Sequence, residues 1–413
     1  MNDVMKLLMA SSIFVLFYSM VSKFVQDNYN VPTPILTLLY GLLLGKHGLK
    51  LLLPHYIFSK HVVSIASRIV LCLQTMVVSL SLPRRYIFTY SRSIFCLVIL
   101  IGFLKCTLTF VILKMFSFLD NSACWATAAS LTPTDPILSS SIIKGKFAKK
   151  NVSEKLRLLL SAESGINDGF GILMLSISID ILRNPKLFNG LFNFFIYSLG
   201  NKVVLSGVLG YIIGQGVQKI SKYSCSLGSI SSEMIGIQTF CLCFFCMALM
   251  DSLDGSELIC IFFVGIGLNE DEWYTLERSS NRIAEIVEST FCKVLFIFIG
   301  SLIDFDRFTL RMIFVCALII IIRRPLILLL SYRTVPLIQN TKEALFIGWF
   351  GPVGVGALYY CLLYDKKVDT LTIDYGICTV FLSILIHGLS VPVYTLFKKT
   401  LQVSNANTIN LEA

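Results

Sequence analysis

At 413 residues, 55% hydrophobic and only 15% charged, with a mean hydropathy of +0.76, the chain lies outside the range of soluble globular proteins. Its formal net charge of +10 would suggest a nucleic-acid footprint in a soluble chain, but here Lys and Arg collect in short loops between apolar runs, where such charge sets topology, and no nucleic-acid partner is expected. The runs are long enough for helices of about 20 residues and lack the period-2 alternation of barrel strands, so the expected fold is an all-α integral membrane bundle.

In chain order, thirteen candidate spans are read at about 6–22, 34–53, 60–82, 93–116, 121–143, 156–182, 187–218, 233–250, 255–268, 283–303, 309–332, 342–363 and 372–397. The first has no small-residue cleavage site behind it and is read as a retained span. The fifth is interrupted by Thr132-Pro-Thr-Asp-Pro136 and the twelfth by Gly351-Pro-Val-Gly-Val-Gly356. Proline removes a main-chain donor and glycine loosens the turn, so Pro133, Pro136, Gly351, Pro352 and Gly354 are expected to break both helices at mid-depth. Unwound backbone is tolerated there only when buried in protein or lining a cavity, and a pair of interrupted spans in separate halves points to the binding site of an inverted-repeat transporter.

The sixth span carries the densest chemistry, Ser161-Ala-Glu-Ser-Gly-Ile-Asn-Asp-Gly169, ahead of an apolar run to Leu182. A carboxylate near a bilayer centre costs about 2.5 to 3.5 kcal/mol on insertion scales, so acids inside spans face a water-filled cavity or a partner. Helical spacing puts Ser161, Ser164 and Asp168 on one face, with Glu163 and Asn167 on the adjoining one. Ser164 and Asn167 are read either as ligands or as helix-to-helix hydrogen bonders. At the fifth-span break, Thr134 can offer a hydroxyl or carbonyl to a cation, and Asp135 can hold the positive end of a half-helix. Before the ninth span, Asp251, Asp254 and Glu257 form either an acidic outer mouth or a solvated loop. His387 is read as a packed core histidine, and the basic run Lys144 to Arg157 and the acidic Glu270-Asp271-Glu272 as loop charge. The thirteen cysteines, scattered singly through apolar segments, are read as small buried hydrophobes rather than a metal or disulfide framework.

The string Ala162-Glu-Ser-Gly-Ile-Asn-Asp-Gly169 resembles the Glu-Ser-x-x-Asn-Asp signature of cation/proton antiporters, the Na+/H+ exchanger superfamily. With Thr132 to Pro136, Gly145-Lys-Phe-Ala148, Gly351 to Ala357 and His387-Gly-Leu-Ser-Val-Pro392, the chain is most similar to the fungal plasma-membrane Na+/H+ antiporters, over about residues 10 to 398. The resemblance implies an inverted-repeat fold in which two broken helices cross beside Asp168. It implies a core of spans at about 93–182 and 309–397, a dimerisation scaffold at about 6–82 and 233–303, and a linker span at 187–218; the short cytosolic tail expected at 399–413 departs from these relatives, which usually carry long ones. It also implies a homodimer, Na+ held at Asp168, Ser164 and Thr134, and an ion pair between Glu163 and an arginine of the eleventh span, where Arg323 and Arg324 are both available. Ser256-Glu257 departs from the paired acids frequent in these relatives.

The resulting expectation is a secondary active antiporter exchanging Na+, with Li+ and K+ as further candidates, for H+ by competition at Asp168, with no cofactor besides the transported ions. Two rivals use the same polar face: a cation channel without obligatory proton counterflow, and an intramembrane aspartyl protease built on Asp135 and Asp168. Against the latter, no Gly-x-Gly-Asp element accompanies a second intramembrane acid. Nor is there a phosphate-binding Gly-x-x-x-x-Gly-Lys loop for nucleotide-driven pumping. Basic loop residues are in excess on the side of the C-terminus, which places the N-terminus outside and the C-terminus in the cytosol of, by resemblance, the plasma membrane.

Overall fold

The computed structural model describes residues 3–29, 31–52, 60–136, 139, 152–182, 186–271, 273–274, 283–365 and 370–409. Gly145 to Ala148, Lys144, Glu272 and most of the second half of the fifth span lie outside them. Every regular element among the described residues is helical. We number α1 Asp3–Tyr29, α2 Thr33–Leu44, α3 Lys60–Ser81, α4 Ser91–Phe116, α5 Asn121–Leu131, α6 Glu154–Leu182 and α7 Leu187–Ser226. There follow α8 Ser232–Ser252, α9 Glu257–Leu268, α10 Ile283–Leu302, α11 Leu310–Ser331, α12 Thr341–Trp349, α13 Val355–Asp365 and α14 Thr370–Ile409. Eight of these helices are long and apolar enough to cross a bilayer, and shorter apolar helices supplement them, so the chain is a multi-pass membrane protein.

Twelve of the thirteen expected spans coincide with one helix or with two half-helices, and α5 covers the first half of the fifth, most of the rest of which lies outside the described residues; three boundaries move furthest. The second was expected to reach residue 53, whereas α2 ends at Leu44, where Gly45 turns extended and its N–H closes onto Gly41 and Leu42. Lys50 then takes a left-handed conformation, at the end of the stretch Gly45-Lys-His-Gly-Leu-Lys50, whose glycines and charges interrupt the apolar run. The linker span runs on to Ser226, and α14 continues through Pro392 to Ile409, into the stretch expected as tail.

Packing sorts the helices into two groups. In one, α2 lies along α10, α7 along α9, and α3 packs on both α9 and α10; in the other, α11 packs on α4, α12 and α14, while α5 contacts α4, α6 and α13. The groups meet where α3 touches α6 and α13, where α6 touches α9 and α7, and where α2 touches α14. The α2–α10 contact is made backbone to backbone. A Cβ on Gly41 would stand 2.7 Å from the carbonyl carbon of Ile297, and one on Gly300 would stand 2.9 Å from the amide nitrogen of Leu42. Small residues substitute here for the hydrophobic driving force that lipid does not supply between helices. Beyond the ends of the same two helices, Lys46 Nζ lies 2.9 and 2.8 Å from the two Asp304 oxygens and His47 Nε2 3.1 Å from Oδ1. Burial opposes the Asp304 charge, but the hydrogen bonds from Lys46 and His47 outweigh it and hold the carboxyl below its ordinary value.

Replacing Gly41 by Ala is expected to force α2 and α10 apart and cost about 1–3 kcal/mol, the usual penalty of overpacking. The check is the thermal midpoint in detergent of Gly41→Ala against Gly216→Ala, a site where an added Cβ meets nothing within 4 Å. Equal midpoints would show that the helices are free to separate.

Candidate functional site

The two interruptions meet each other. α5 ends at Leu131 and α12 at Trp349, and the unwound stretches that follow cross so that the Asp135 amide donates to the carbonyl of Pro352 at 2.8 Å. The Val353 amide donates to Ser383 Oγ at 2.8 Å. The Asp135 carboxylate lies directly over Gly354, in the space a Cβ would occupy, which only glycine leaves open. Gly354 precedes Val355, the first residue of α13, so this carboxylate sits at the positive end of a half-helix.

The sequence-predicted residues are brought together around this crossing. Thr134 Oγ1 accepts from Asn167 Nδ2 at 2.7 Å and lies 3.2 Å from Ser164 Oγ, while the Thr134 amide reaches Asn167 Oδ1 at 3.4 Å. These links tie the break of the fifth span to the polar face of α6. Asp168 is one helical turn beyond Ser164; a Cβ on Gly356 would stand 2.9 Å from its Oδ1, which places the carboxylate at the first turn of α13. The Asp168 side chain is buried, and its Oδ2 meets no hydrogen-bond donor among the described residues. Its main-chain oxygen accepts from the Tyr360 hydroxyl.

Glu163 lies on the other side of α6 and is 1% exposed. Arg324 grips it with both arms, Nη1 to Oε1 at 2.9 Å and Nη2 to Oε2 at 2.6 Å, and donates its Nε to the carbonyl of Ile347 at 2.9 Å. Arg323 points elsewhere: its Nη1 donates to the carbonyl of Leu131, the last residue of α5. The two neighbouring arginines therefore do different work, one closing an acid and the C-terminal end of α12, the other the C-terminal end of α5.

Sequence reasoning missed four participants. Lys105 of α4, 1% exposed, reaches Glu163 Oε1 at 3.4 Å; its ammonium in the apolar run Ile101 to Thr109 is the same signal that singled out Glu163. Tyr360 holds the turn of Asp168, Tyr359 donates to Glu257 Oε1 at 3.0 Å, and Arg68 Nε donates to the same oxygen at 2.7 Å. Glu257 is thus a buried, paired acid, while Asp251, 70% exposed, meets Arg68 Nη1 at 2.9 Å. No intrinsic signal marks a tyrosine in an apolar helix, so these partners are visible only in three dimensions. His387 is buried edge-on to Trp349, with ring centroids 5.1 Å apart.

The model of the transmembrane sodium/hydrogen exchanger family matches residues 10–397. A probable Na+/H+ antiporter of Schizosaccharomyces pombe is 30% identical over 343 residues, 80% of this chain and 45% of its own length. Na+/H+ antiporter 2 of Zygosaccharomyces rouxii is 27% identical over 87% of this chain and 46% of its own length. The chain thus spans a little under half the length of these two relatives. A second Schizosaccharomyces pombe protein, an Na+/H+ antiporter, is 26% identical with 94% and 89% covered. Among solved structures, the sodium proton antiporter MjNhaP1 from Methanocaldococcus jannaschii superposes with a TM-score of 0.72 at 17% identity, covering 95% of this chain and 97% of its own, a likeness of fold.

Truncating Glu163 to Gln leaves Arg324 and Lys105 as uncompensated buried cations, a loss of about 3–5 kcal/mol. Adding Arg324→Gln to that background is expected to recover part of it, and Arg323→Gln none. The double-mutant cycle read from thermal midpoints checks this; equal recovery from both arginines would dissolve the assignment of Arg324 as the partner.

Proposed function

The chain belongs to the sodium/hydrogen exchanger family, and from that premise we propose that it exchanges a monovalent cation, Na+ first and Li+ or K+ as further candidates, for H+ at Asp168. The observation that carries the reading is the buried Asp168 carboxylate, one oxygen of which meets no donor among the described residues, set beside the hydroxyls of Ser164 and Thr134 where two interrupted helices cross. A carboxylate in that setting binds a proton or a cation but not both, and competition for one site couples the two flows. Thr134 and Ser164 supply neutral oxygens for a dehydrated cation, Asn167 orients Thr134, and Asp135 balances the half-helix end beside it.

The proposed moving parts are α4 to α6 with α11 to α14 as the core, α1 to α3 with α8 to α10 as the scaffold and α7 as the linker between them, and the packing of α7 on both α6 and α9, of α3 on α6 and α13, and of α9 on α6 supports this reading. Alternating access then moves the core, with its bound ion, against the scaffold. A homodimer would use α1, whose apolar window is only 11% buried within the chain. The excess of basic loop residues on the C-terminal side supports a cytosolic C-terminus, and the plasma-membrane location rests on the resemblance of the motifs to the fungal plasma-membrane antiporters.

Asp168→Asn is expected to abolish exchange while leaving the fold intact, because neutralising a buried acid removes a desolvation cost. The check is internal pH of proteoliposomes after a Na+ pulse; acidification or alkalinisation at the parent rate would remove Asp168 from the mechanism.

Competition also fixes a pH dependence. Where the protonated carboxyl dominates, each unit fall in pH is expected to raise the apparent KM for Na+ about tenfold, flattening once the carboxylate is ionised. Na+ titrations at a series of pH values, equal on both faces, measure it. A KM that stays fixed across the active range would sink the shared site and favour a channel.

A further inference from the structure

A cavity of about 180 Å3 opens beside the N-terminal end of α9, lined among others by Lys202, Asp251, Asp254, Glu257, Tyr359 and Tyr360. Tyr360 borders the cavity, and its hydroxyl donates to the main-chain oxygen of Asp168. The Tyr360 ring edge packs where a Cβ on Gly171 would stand 2.8 Å from Cε2, against the helix that carries the polar face. The ring of Tyr359 lies next to it, centroids 5.0 Å apart.

Tyr359 is held from the opposite group of helices. Its hydroxyl donates to Glu257 of α9 at 3.0 Å, and Glu257 is fixed by Arg68 of α3 at 2.7 Å, whose other arm reaches Asp251 at 2.9 Å. Glu257 is 6% exposed, so these are charge-assisted hydrogen bonds sheltered from water, stronger and more directional than surface pairs. The chain of contacts runs from the acidic mouth through Arg68, Glu257 and Tyr359 to its neighbour Tyr360 and on to Asp168. It crosses the junction between the two helix groups at the Glu257 to Tyr359 bond.

We propose that this cavity is the vestibule through which the cation reaches Asp168, and that Tyr359 and Tyr360 form its inner gate, latched shut by Glu257. A cation drawn in by Asp251 and Asp254 competes with the Tyr359 hydroxyl for the Glu257 oxygen. Once Glu257 turns to the cation, α13 is released from α9, and Tyr360 swings with it away from the Asp168 turn. The identity of the passing ion rests on the exchange reading; the gate does not, and it can be tested without transport.

The test uses the full chain carrying Ser164→Cys as reporter, reconstituted in vesicles and exposed on each face in turn to a membrane-impermeant methanethiosulfonate. Modification at position 164 is read by mass of its peptide; the α6 segment Glu154 to Leu182 contains no native cysteine. Adding Tyr359→Phe or Glu257→Gln is expected to speed modification about tenfold, from the cavity face alone, as loss of one such hydrogen bond shifts the open population by about that factor. Tyr360→Ala, which deletes the wall, should label fastest. Unchanged rates in both latch variants, with Tyr360→Ala fast, would overturn the latch; a slow Tyr360→Ala would overturn the vestibule. Na+ exchange is measured separately in the parent chain without the reporter; its failure there, with accelerated labelling of the reporter chain, would leave the gate standing and remove the cargo.

Discussion

The structure depends on a single constraint: two helices are interrupted inside the bilayer, and every main-chain group they free has to be satisfied without water. The protein meets it with charge and with the other interruption. Arg323 takes the carbonyl at the end of α5, Arg324 takes one at the end of α12, and Asp135 lies at the start of α13 while its amide bonds to Pro352. Each of these three half-helix ends meets the sign that its dipole favours. The crossing is therefore a closed arrangement, in which removing any one of these charges exposes a main-chain dipole as well as a side chain.

That arrangement explains how far the sequence could be read. The apolar runs and the Pro and Gly interruptions are local signals, so span positions, the two breaks and the polar face of α6 were legible. The end of α2 was signalled by Gly45-Lys-His-Gly48, glycines and charge that interrupt the apolar run, yet the expected span passed over it to residue 53; main-chain bonds among Gly41, Leu42, Leu43 and Gly45 help to close the turn. The partner of Glu163 was not, because Arg323 and Arg324 are adjacent and only the direction in which each leaves α11 separates them. Lys105 was legible by the rule applied to Glu163. Tyr359 and Tyr360 were not, since tyrosine in an apolar helix is ordinary.

The packing of α2 on α10 and the bond from Glu257 to Tyr359 show two opposite ways of joining helices in one chain. Backbone contact through Gly41 and Gly300 leaves no room for sliding without a steric clash, which suits a rigid scaffold. A hydrogen bond between α9 and α13 exchanges partners at little cost when a cation offers itself to the carboxylate. Where glycine joins helices the fold is fixed, and where a buried acid and a hydroxyl join them it is switchable.

The distribution of cations among the acids decides which of them can hold cargo. Glu163 is enclosed by the Arg324 fork and by Lys105, so a mobile ion would have to displace a fixed guanidinium held at two points and at a main-chain carbonyl. Bidentate pairing of that kind is among the stronger polar contacts in proteins, and breaking it would also uncover the end of α12. Asp168 has hydroxyls and a half-helix N-terminus nearby, and one of its oxygens meets no donor among the described residues. Hydroxyls and a half-helix end offset the cost of burying its charge only in part, and they leave open the place beside the carboxylate that a proton or a cation would take. On the proposed reading the same buried cluster holds one acid, Glu163, with a fixed counter-charge and one, Asp168, with an exchangeable one, and it is the pairing of Arg324 with Glu163 that leaves Asp168 to the cargo.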